Sequence, residues 1–147
     1  GLAAMMGIRF QENFLAPYRS QSIKEFWRRW HVSLSTWFRD YLYFPLGGSR
    51  CSKLLTYRNL VIVFVLCGLW HGAQWTFLIW GLFHGCLLIL ERTSFATFLT
   101  SLPALAQRCY CMLMVVFWWV FFRANCQEAF KNSTDKASVV STGGILK

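Results

Sequence analysis

The chain has 147 residues, of which 56% are hydrophobic and 18% aromatic, and it carries a formal net charge of +9. A soluble domain is about 45–50% apolar, so the excess, which is concentrated in long runs, favours a membrane protein. Its first residues show no signal-peptide pattern and do not begin with methionine, so we expect a fragment of a longer protein. The six cysteines contain no C-x-x-C pair, which argues against a disulfide framework or a zinc site.

Residues 1–21 form a mixed lead-in, and an interfacial helix is predicted over residues 22–44. A capping box at Ser22 and Glu25 marks its start. Apolar residues recur there at helical spacing and form one stripe, with the basic residues off it: Ile23, Phe26, Trp27, Trp30, Leu34, Trp37, Phe38 and Tyr41. A helix of this kind lies at a membrane interface rather than crossing the membrane. His31 is at the edge of the stripe, and its position alone indicates an imidazole with its tip in water.

The basic residues are concentrated in the first part of the chain. Nine Lys/Arg lie between Arg9 and Arg58 against three acids, whereas the loop predicted over 91–108 holds two. The positive-inside rule therefore predicts that residues 9–58 face the cytoplasm. A nucleic-acid surface is the competing interpretation of a basic segment. Tryptophans interleaved with the bases, and apolar runs directly after them, argue against nucleic acid as a partner.

The run from Leu60 to Leu90 has no Asp, Glu, Lys or Arg, yet it contains His71 and His84. As one helix it would measure about 46 Å, which is too long for one span of a core about 30 Å thick and too short for two. We therefore predict a membrane helix over 60–90 that is broken near Gly72. Counted from Leu60, His71 would lie roughly 16 Å deep, near mid-membrane. Ionisable groups at that depth are expensive and usually functional.

The remaining elements complete an all-α prediction for the chain. Residues 104–122 form a further membrane helix, and the polar tail over 123–147 is expected to be poorly ordered. The fold class is thus a fragment of an integral membrane helical bundle, with one interfacial amphipathic helix and two to three apolar segments. With so few elements, a ligand-sized cavity is expected to lack most of its walls.

Three chemical interpretations of the intramembrane histidines stay open on the residues alone. A neutral imidazole in a dry tunnel is a good general base for a hydroxyl that attacks an acyl donor. His71 and His84 could instead bind haem or a metal, although their separation is about 220° around a continuous helix, which argues against shared ligation. The third interpretation is structural, with each imidazole bonded to a neighbouring backbone group.

Two long motifs resemble the signature blocks of the membrane-bound O-acyltransferase family. They are "FWRRWHVSLSTWFRDYLYFPLGG" (Phe26–Gly48) and "GLWHGAQWTFLIWGLFHG" (Gly68–Gly85), and "WVFFRA" (Trp119–Ala124) resembles the segment that follows them. The resemblance is to the bacterial branch of alginate O-acetylation and teichoic acid D-alanine export. It covers roughly residues 13–124, and it implies that residues 1–147 are part of one such domain, without the family's earlier transmembrane helices.

The resemblance implies an enzyme and a pair of catalytic residues. His71 matches the family's catalytic histidine, His31 matches its second conserved polar position, and His84 is expected to be structural. The family's fold is a many-helix bundle with a tunnel, in which an acyl donor, usually a thioester such as acetyl-CoA, enters from the cytoplasm. The implied acceptor is an extracytoplasmic polysaccharide or a partner protein, and no bound cofactor or metal is expected.

These implications place the chain in the bacterial inner membrane as a multi-pass protein among lipid. Arg28, Arg29 and Arg39 could attract an anionic donor, or could simply anchor the helix by the positive-inside rule. The alternative to an enzyme is a non-catalytic membrane fragment that is stable only against other helices. A haem or metal protein is the third possibility.

Overall fold

A computed structural model describes residues 5–72, 74–120 and 123, and the regular elements in this part of the chain are helical. The predicted tail over 123–147 lies outside the described residues except for Arg123. The helices are α1 (Ile23–Arg29), α2 (Val32–Phe38), α3 (Lys53–His71), α4 (Trp75–Leu90), α5 (Phe95–Ser101) and α6 (Ala104–Val120). A 3₁₀ turn over Pro17–Arg19 precedes α1, and a π-helical turn over Arg39–Tyr43 extends α2.

Helices α3 and α4 form an antiparallel hairpin. Gly68 of α3 packs on the backbone of Phe77, and Gly81 of α4 packs on the backbone of Phe64. The break at Gly72 is where the sequence predicts it, but one broken span over 60–90 is wrong, because the chain reverses there. The predicted span is measured from Leu60, whereas α3 already begins at Lys53. The additional residues make the segment long enough for two helices, one in each arm of the hairpin.

The early start of α3 fixes the position of His71 along the helix, and its predicted depth in the membrane stays a prediction. Ser52 caps the helix, since its side chain accepts a hydrogen bond from the Leu55 N–H. His71 is the last residue of α3, so it lies about 27 Å along the helix from Lys53, at the tip of the hairpin. By length and composition, α3 is the one described helix that could cross a membrane alone, and α4 with α5 could form a second span that is bent by 76°.

The predicted amphipathic helix over 22–44 is interrupted at Trp30 and His31. Its capping box forms: Ser22 accepts from the Glu25 N–H at 3.1 Å, and the Glu25 carboxylate accepts from the Gln21 N–H at 2.8 Å. The aromatic stripe packs mainly on protein. Trp27 contacts the rings of Phe64 and Trp80 of the hairpin, with centroids 5.2 and 5.7 Å away. The stripe is therefore largely a core surface.

The end of α4 is joined to the start of α1. Glu91 accepts hydrogen bonds from the backbone N–H groups of Ile23 (2.7 Å) and Lys24 (3.0 Å). Arg92 donates to Ser49 and Tyr43, each at 3.2 Å. The difference in basic residues predicts that the 91–108 loop lies on the membrane face opposite to residues 9–58. The structure corrects this for Glu91 and Arg92, because the hairpin returns the chain to the end where α3 begins.

The last two helices close the described bundle. α5 lies inside the segment predicted as a loop, so that prediction is wrong over Phe95–Ser101. α6 follows the predicted boundary at residue 104 and reaches Val120, and residues 121–122 lie outside the described part. Cys111 and Val115 of α6 are buried, and the Trp118 ring of the same helix lies 4.5 Å from that of Phe83 on the hairpin.

Candidate functional site

The structure brings His31 and His71 together around one indole. The Trp70 ring lies edge-on to both imidazoles, with centroid separations of 6.4 Å to His31 and 4.9 Å to His71. The two histidines also interact electrostatically. They are 40 positions apart in the sequence and belong to different elements. The cluster of His31, Trp70 and His71 is hereafter the histidine cluster.

His71 occupies the carboxyl end of α3, at the hairpin tip. Its ring stacks on Phe77 at 6.2 Å and meets the edge of Trp80 at 5.1 Å, and both aromatics belong to α4. The helix stops after it because Gly72 has φ +155°, a conformation that other residues rarely adopt. The imidazole is exposed in the described part of the chain. The partial negative charge of a helix carboxyl end stabilises a cation there, which suits a group that gains a proton.

His31 sits in the turn between α1 and α2, with its backbone in the left-handed region (φ 45°, ψ 57°). Only a few per cent of non-glycine residues adopt such a conformation, and it persists where the surroundings impose it. The surroundings that hold it are the segment over 13–15, hereafter the Asn13 segment, which pairs with Trp30 through an isolated β-bridge at Phe14. Asn13 accepts hydrogen bonds from Val32 and Ser33, and the Leu15 N–H donates to the Arg29 carbonyl. These bonds lie on both sides of His31.

His84 lies outside the histidine cluster, on the other side of Trp80 from His71. It is 2% exposed and packs between aromatic rings, with Trp27 at 5.2 Å and Trp80 at 5.1 Å. Trp80 also contacts His71, so one indole separates the two imidazoles. In the ranges that the structure describes, no three His, Cys, Asp or Glu side chains cluster as metal ligands. The expectation that no metal is bound stays a prediction.

A cavity of about 750 Å³ opens beside the cluster, between α1, α2 and the hairpin. The cavity is partly open to its surroundings, so the prediction that a ligand-sized cavity lacks most of its walls in this chain stays a prediction. Its lining includes Lys24, Arg28, Arg39 and Arg92 with Glu91, and it also includes apolar residues of α3 such as Phe64 and Cys67. Neither histidine lines the cavity, but Val32 follows His31 directly and Cys67 lies one helical turn, about 6 Å, before His71.

The charges at this cavity are only partly neutralised. Arg39 pairs with Asp40 at 2.7 Å and Arg29, outside the cavity, with Glu25 at 2.8 Å. Among the described residues Arg28 and Arg92 form no ion pair with a carboxylate, and the Arg92 guanidinium is held by two hydroxyl groups. Burial raises the pKa of Glu91, an effect that the Lys24 and Ile23 N–H groups oppose. The positive charge is therefore available to an anionic ligand.

Sequence reasoning missed three residues of this region: Asn13, Glu91 and Arg92. None belongs to a helix face or to a local motif, and their partners are 20, 68 and 43 positions away. No periodicity signals contacts of that range. Sequence reasoning singled out the two histidines because each stands inside a motif, and their catalytic roles stay a prediction.

Comparison with known proteins gives the family. Residues 1–128 match the membrane-bound O-acyltransferase family. The chain is 53% identical over 125 residues to a probable alginate O-acetylase of Azotobacter vinelandii, with 85% of the chain and 25% of that protein covered. It is 44% identical over 135 residues to a peptidoglycan O-acetyltransferase of Helicobacter pylori, with 89% and 26% covered. A teichoic acid D-alanyltransferase of Bacillus subtilis is 38% identical over 95 residues, with 60% and 24% covered.

The chain spans about a quarter of the length of these relatives. The family match covers most of the chain, and it includes both histidines of the cluster and the hairpin that carries His71. The resemblance that the two long motifs indicate is thereby confirmed. This chain belongs to the membrane-bound O-acyltransferase family.

Proposed function

We propose that this chain carries the catalytic centre of a membrane-embedded O-acyltransferase that moves an acetyl group from a cytoplasmic thioester, such as acetyl-CoA, toward an extracytoplasmic polysaccharide or a partner protein. The observation that carries the proposal is the histidine cluster, in which Trp70 contacts both His31 and His71. The relatives are named for acyl transfer to alginate, peptidoglycan and teichoic acid. Their names support an acceptor of the polysaccharide class.

In this proposal His71 is the general base. Its neutral imidazole takes the proton of the acceptor hydroxyl while the hydroxyl oxygen attacks the thioester carbonyl carbon. The carbon–sulfur bond breaks, an ester forms, and the thiolate leaves with a proton returned by the imidazolium. The position of His71 at the carboxyl end of α3 supports this role, since the helix end stabilises the imidazolium. His31 polarises the carbonyl or positions the acyl group from the other side of Trp70.

The donor's charged part is proposed to bind the cationic residues that line the 750 Å³ cavity. Arg28 and Arg92 lie there without a carboxylate partner among the described residues, and Arg binds phosphate oxygens well because its guanidinium presents several donors. The apolar lining, which includes Cys67, then leads the thioester toward His71. A cytoplasmic location of Arg28 and Arg92 agrees with the excess of basic residues over 9–58.

We place the protein in the bacterial inner membrane as a multi-pass protein. The described part exposes large apolar side chains that include Trp75, Leu69 and Phe117, and lipid or further transmembrane helices would cover them. The greater length of the relatives supports such helices as partners. In this proposal, the walls of the site come partly from this chain and partly from other transmembrane segments.

The test is acyl transfer across sealed vesicles that contain the protein as the cell makes it. Radiolabelled acetyl-CoA is supplied on the face that was cytoplasmic, and the label is followed into polysaccharide on the other face. We expect transfer from that face alone, with slower transfer when Arg28 and Arg92 are both replaced by Gln. Transfer from the opposite face, or none to any hydroxyl acceptor, contradicts the proposal.

A further inference from the structure

We infer that Asn13 is a positioning residue that holds His31 in its left-handed conformation and so sets where the imidazole stands relative to His71. The inference rests on the proposed function, in which His31 assists acyl transfer. Asn13 itself does not touch the histidine cluster through its side chain. It acts through the backbone of the turn between α1 and α2.

The first step of the argument is the turn itself. α1 ends at Arg29 and α2 begins at Val32, so the chain changes direction over Trp30 and His31 alone. Neither residue is a glycine or a proline, and the apolar stripe continues through the turn at helical spacing. Local sequence therefore favours a continuous helix. Something outside the turn must impose φ 45° on His31.

The second step identifies what imposes it. The Asn13 carbonyl accepts from the Val32 N–H at 3.0 Å, and the Asn13 side-chain Oδ1 accepts from the Ser33 N–H at 2.9 Å. These are two of the N–H groups that the start of a helix leaves without an intrahelical partner. Asn13 thus caps α2 from a distant segment, as an N-cap residue would do locally. His31, which holds the N-cap position of α2, makes no such side-chain bond.

The third step fixes the other side of the turn. The Leu15 N–H donates to the Arg29 carbonyl at 2.9 Å, and the Arg29 guanidinium donates to the Leu15 carbonyl at 3.1 Å. Phe14, between these anchors, packs on Trp30 at 4.7 Å and on the His31 ring at 6.2 Å. The Asn13 segment therefore bonds to the residues before and after His31 while one of its side chains covers the imidazole.

The consequence is a structural link between the Asn13 segment and the histidine cluster. When the Oδ1 bond is lost, α2 loses a cap at its first turn, and His31 can relax toward the helical conformation that its sequence favours. The imidazole would then move away from Trp70. Small misplacements of a group that acts on the reacting atoms can cost about 100-fold in rate.

The test compares Asn13→Ala with Asn13→Asp, which keeps an acceptor oxygen, and with Gln11→Ala, an exposed amide-to-alanine change on the same stretch. Each variant is made in the protein as the cell makes it, with ¹⁵N-labelled histidine. The imidazole resonance of His31 is assigned by its disappearance in His31→Asn. We expect Asn13→Ala to shift this resonance and to lower kcat about 10-fold or more at unchanged donor KM. In Asn13→Asp and Gln11→Ala, the His31 resonance and kcat should both stay near the parent values.

An unchanged His31 resonance in Asn13→Ala overturns the inference, whatever the transfer rate. So does an equal loss of kcat in Asn13→Asp and Asn13→Ala. Failure of the proposed function gives a different result, since His71→Ala would then retain acyl transfer while the resonance of His31 still reports on Asn13.

Discussion

His31 and His71 meet across Trp70, although one stands in a turn near the start of the chain and the other at the tip of a hairpin. Two separate devices produce this meeting. The Asn13 segment turns the chain at His31, and Gly72 ends α3 directly after His71. The imidazoles therefore approach each other from two independently held elements, which is a suitable arrangement for groups that act on one substrate.

The hairpin depends on close backbone contact at its glycines. A Cβ at Gly81 would overlap the carbonyl oxygen of Phe64, whereas a Cβ at Gly85 would meet the Phe64 Cβ at 3.4 Å, an ordinary contact. We expect Gly81→Ala to force the helices apart and to cost about 1–3 kcal/mol of stability. Gly85→Ala is the matched control and should be tolerated. Thermal unfolding in detergent measures both, and equal behaviour of the two variants contradicts the packing described.

Trp27 is expected to stabilise the fold through protein contacts rather than lipid. Its ring touches Phe64 and His84, whereas the Trp37 side chain of the same stripe is 53% exposed. Trp27→Ala should cost about 3–5 kcal/mol and accelerate hydrogen exchange across α1. Trp37→Ala should leave that exchange nearly unchanged. The reverse order would mean that the membrane interface, not the hairpin, holds this helix.

The Glu25 carboxylate gives the start of α1 a pH dependence. A hydrogen bond from the Gln21 N–H, with further help from Arg29, holds the pKa of Glu25 below its usual value of 4.5. A carboxyl with a lowered folded-state pKa contributes stability above the unfolded pKa, and this contribution is lost as pH falls through the folded value. In Glu25→Gln, the Gln21 amide hydrogen should therefore exchange with solvent faster than in the parent protein at neutral pH. The difference should shrink as pH falls through the lowered pKa of Glu25, and a difference that stays constant with pH would contradict this prediction.

The end of the molecule that carries Glu91 and Lys53 is expected to face the cytoplasm. Antiparallel packing of α3 and α4 puts their outer ends together and the hairpin tip at the other end. In a chain without its native cysteines, a cysteine at Arg50 should be labelled only from the cytoplasmic side of sealed vesicles. Efficient labelling of the Arg50 variant from outside intact cells reverses the orientation.

The motifs in the sequence predict the histidines but not the way they meet. His31 and His71 stand in blocks whose residue order alone marks them. The helical stripe over 22–44 does not reveal the turn at His31, because the residue that bonds to this turn is distant in sequence: Asn13, 20 positions before Ser33, accepts a hydrogen bond from the Ser33 N–H. Periodicity reports which residues share a face, and it carries no information about a distant cap.

The hairpin shows the same limit in the apolar run. Counting uncharged residues set the start of the span at Leu60, yet α3 begins at Lys53 and carries Arg58 on its first turns. A charged side chain on the end of a membrane helix is tolerated when its head reaches the interface. The count therefore underestimated the helix by seven residues, and with it the room for two antiparallel arms.

The measurement that tests the central claim most directly is acyl transfer by His71→Ala and His84→Ala, side by side. Both are assayed in the protein as the cell makes it, and activity is normalised to folded, membrane-extracted protein. Loss of a general base typically lowers the rate by about 10²–10⁴-fold, and we expect that loss in the His71 variant. His84, which is 2% exposed among aromatic rings, should show its loss as less folded protein with normal activity per molecule. Near-normal specific activity of His71→Ala, or an equal loss in His84→Ala, would contradict the assignment of His71 as the catalytic base.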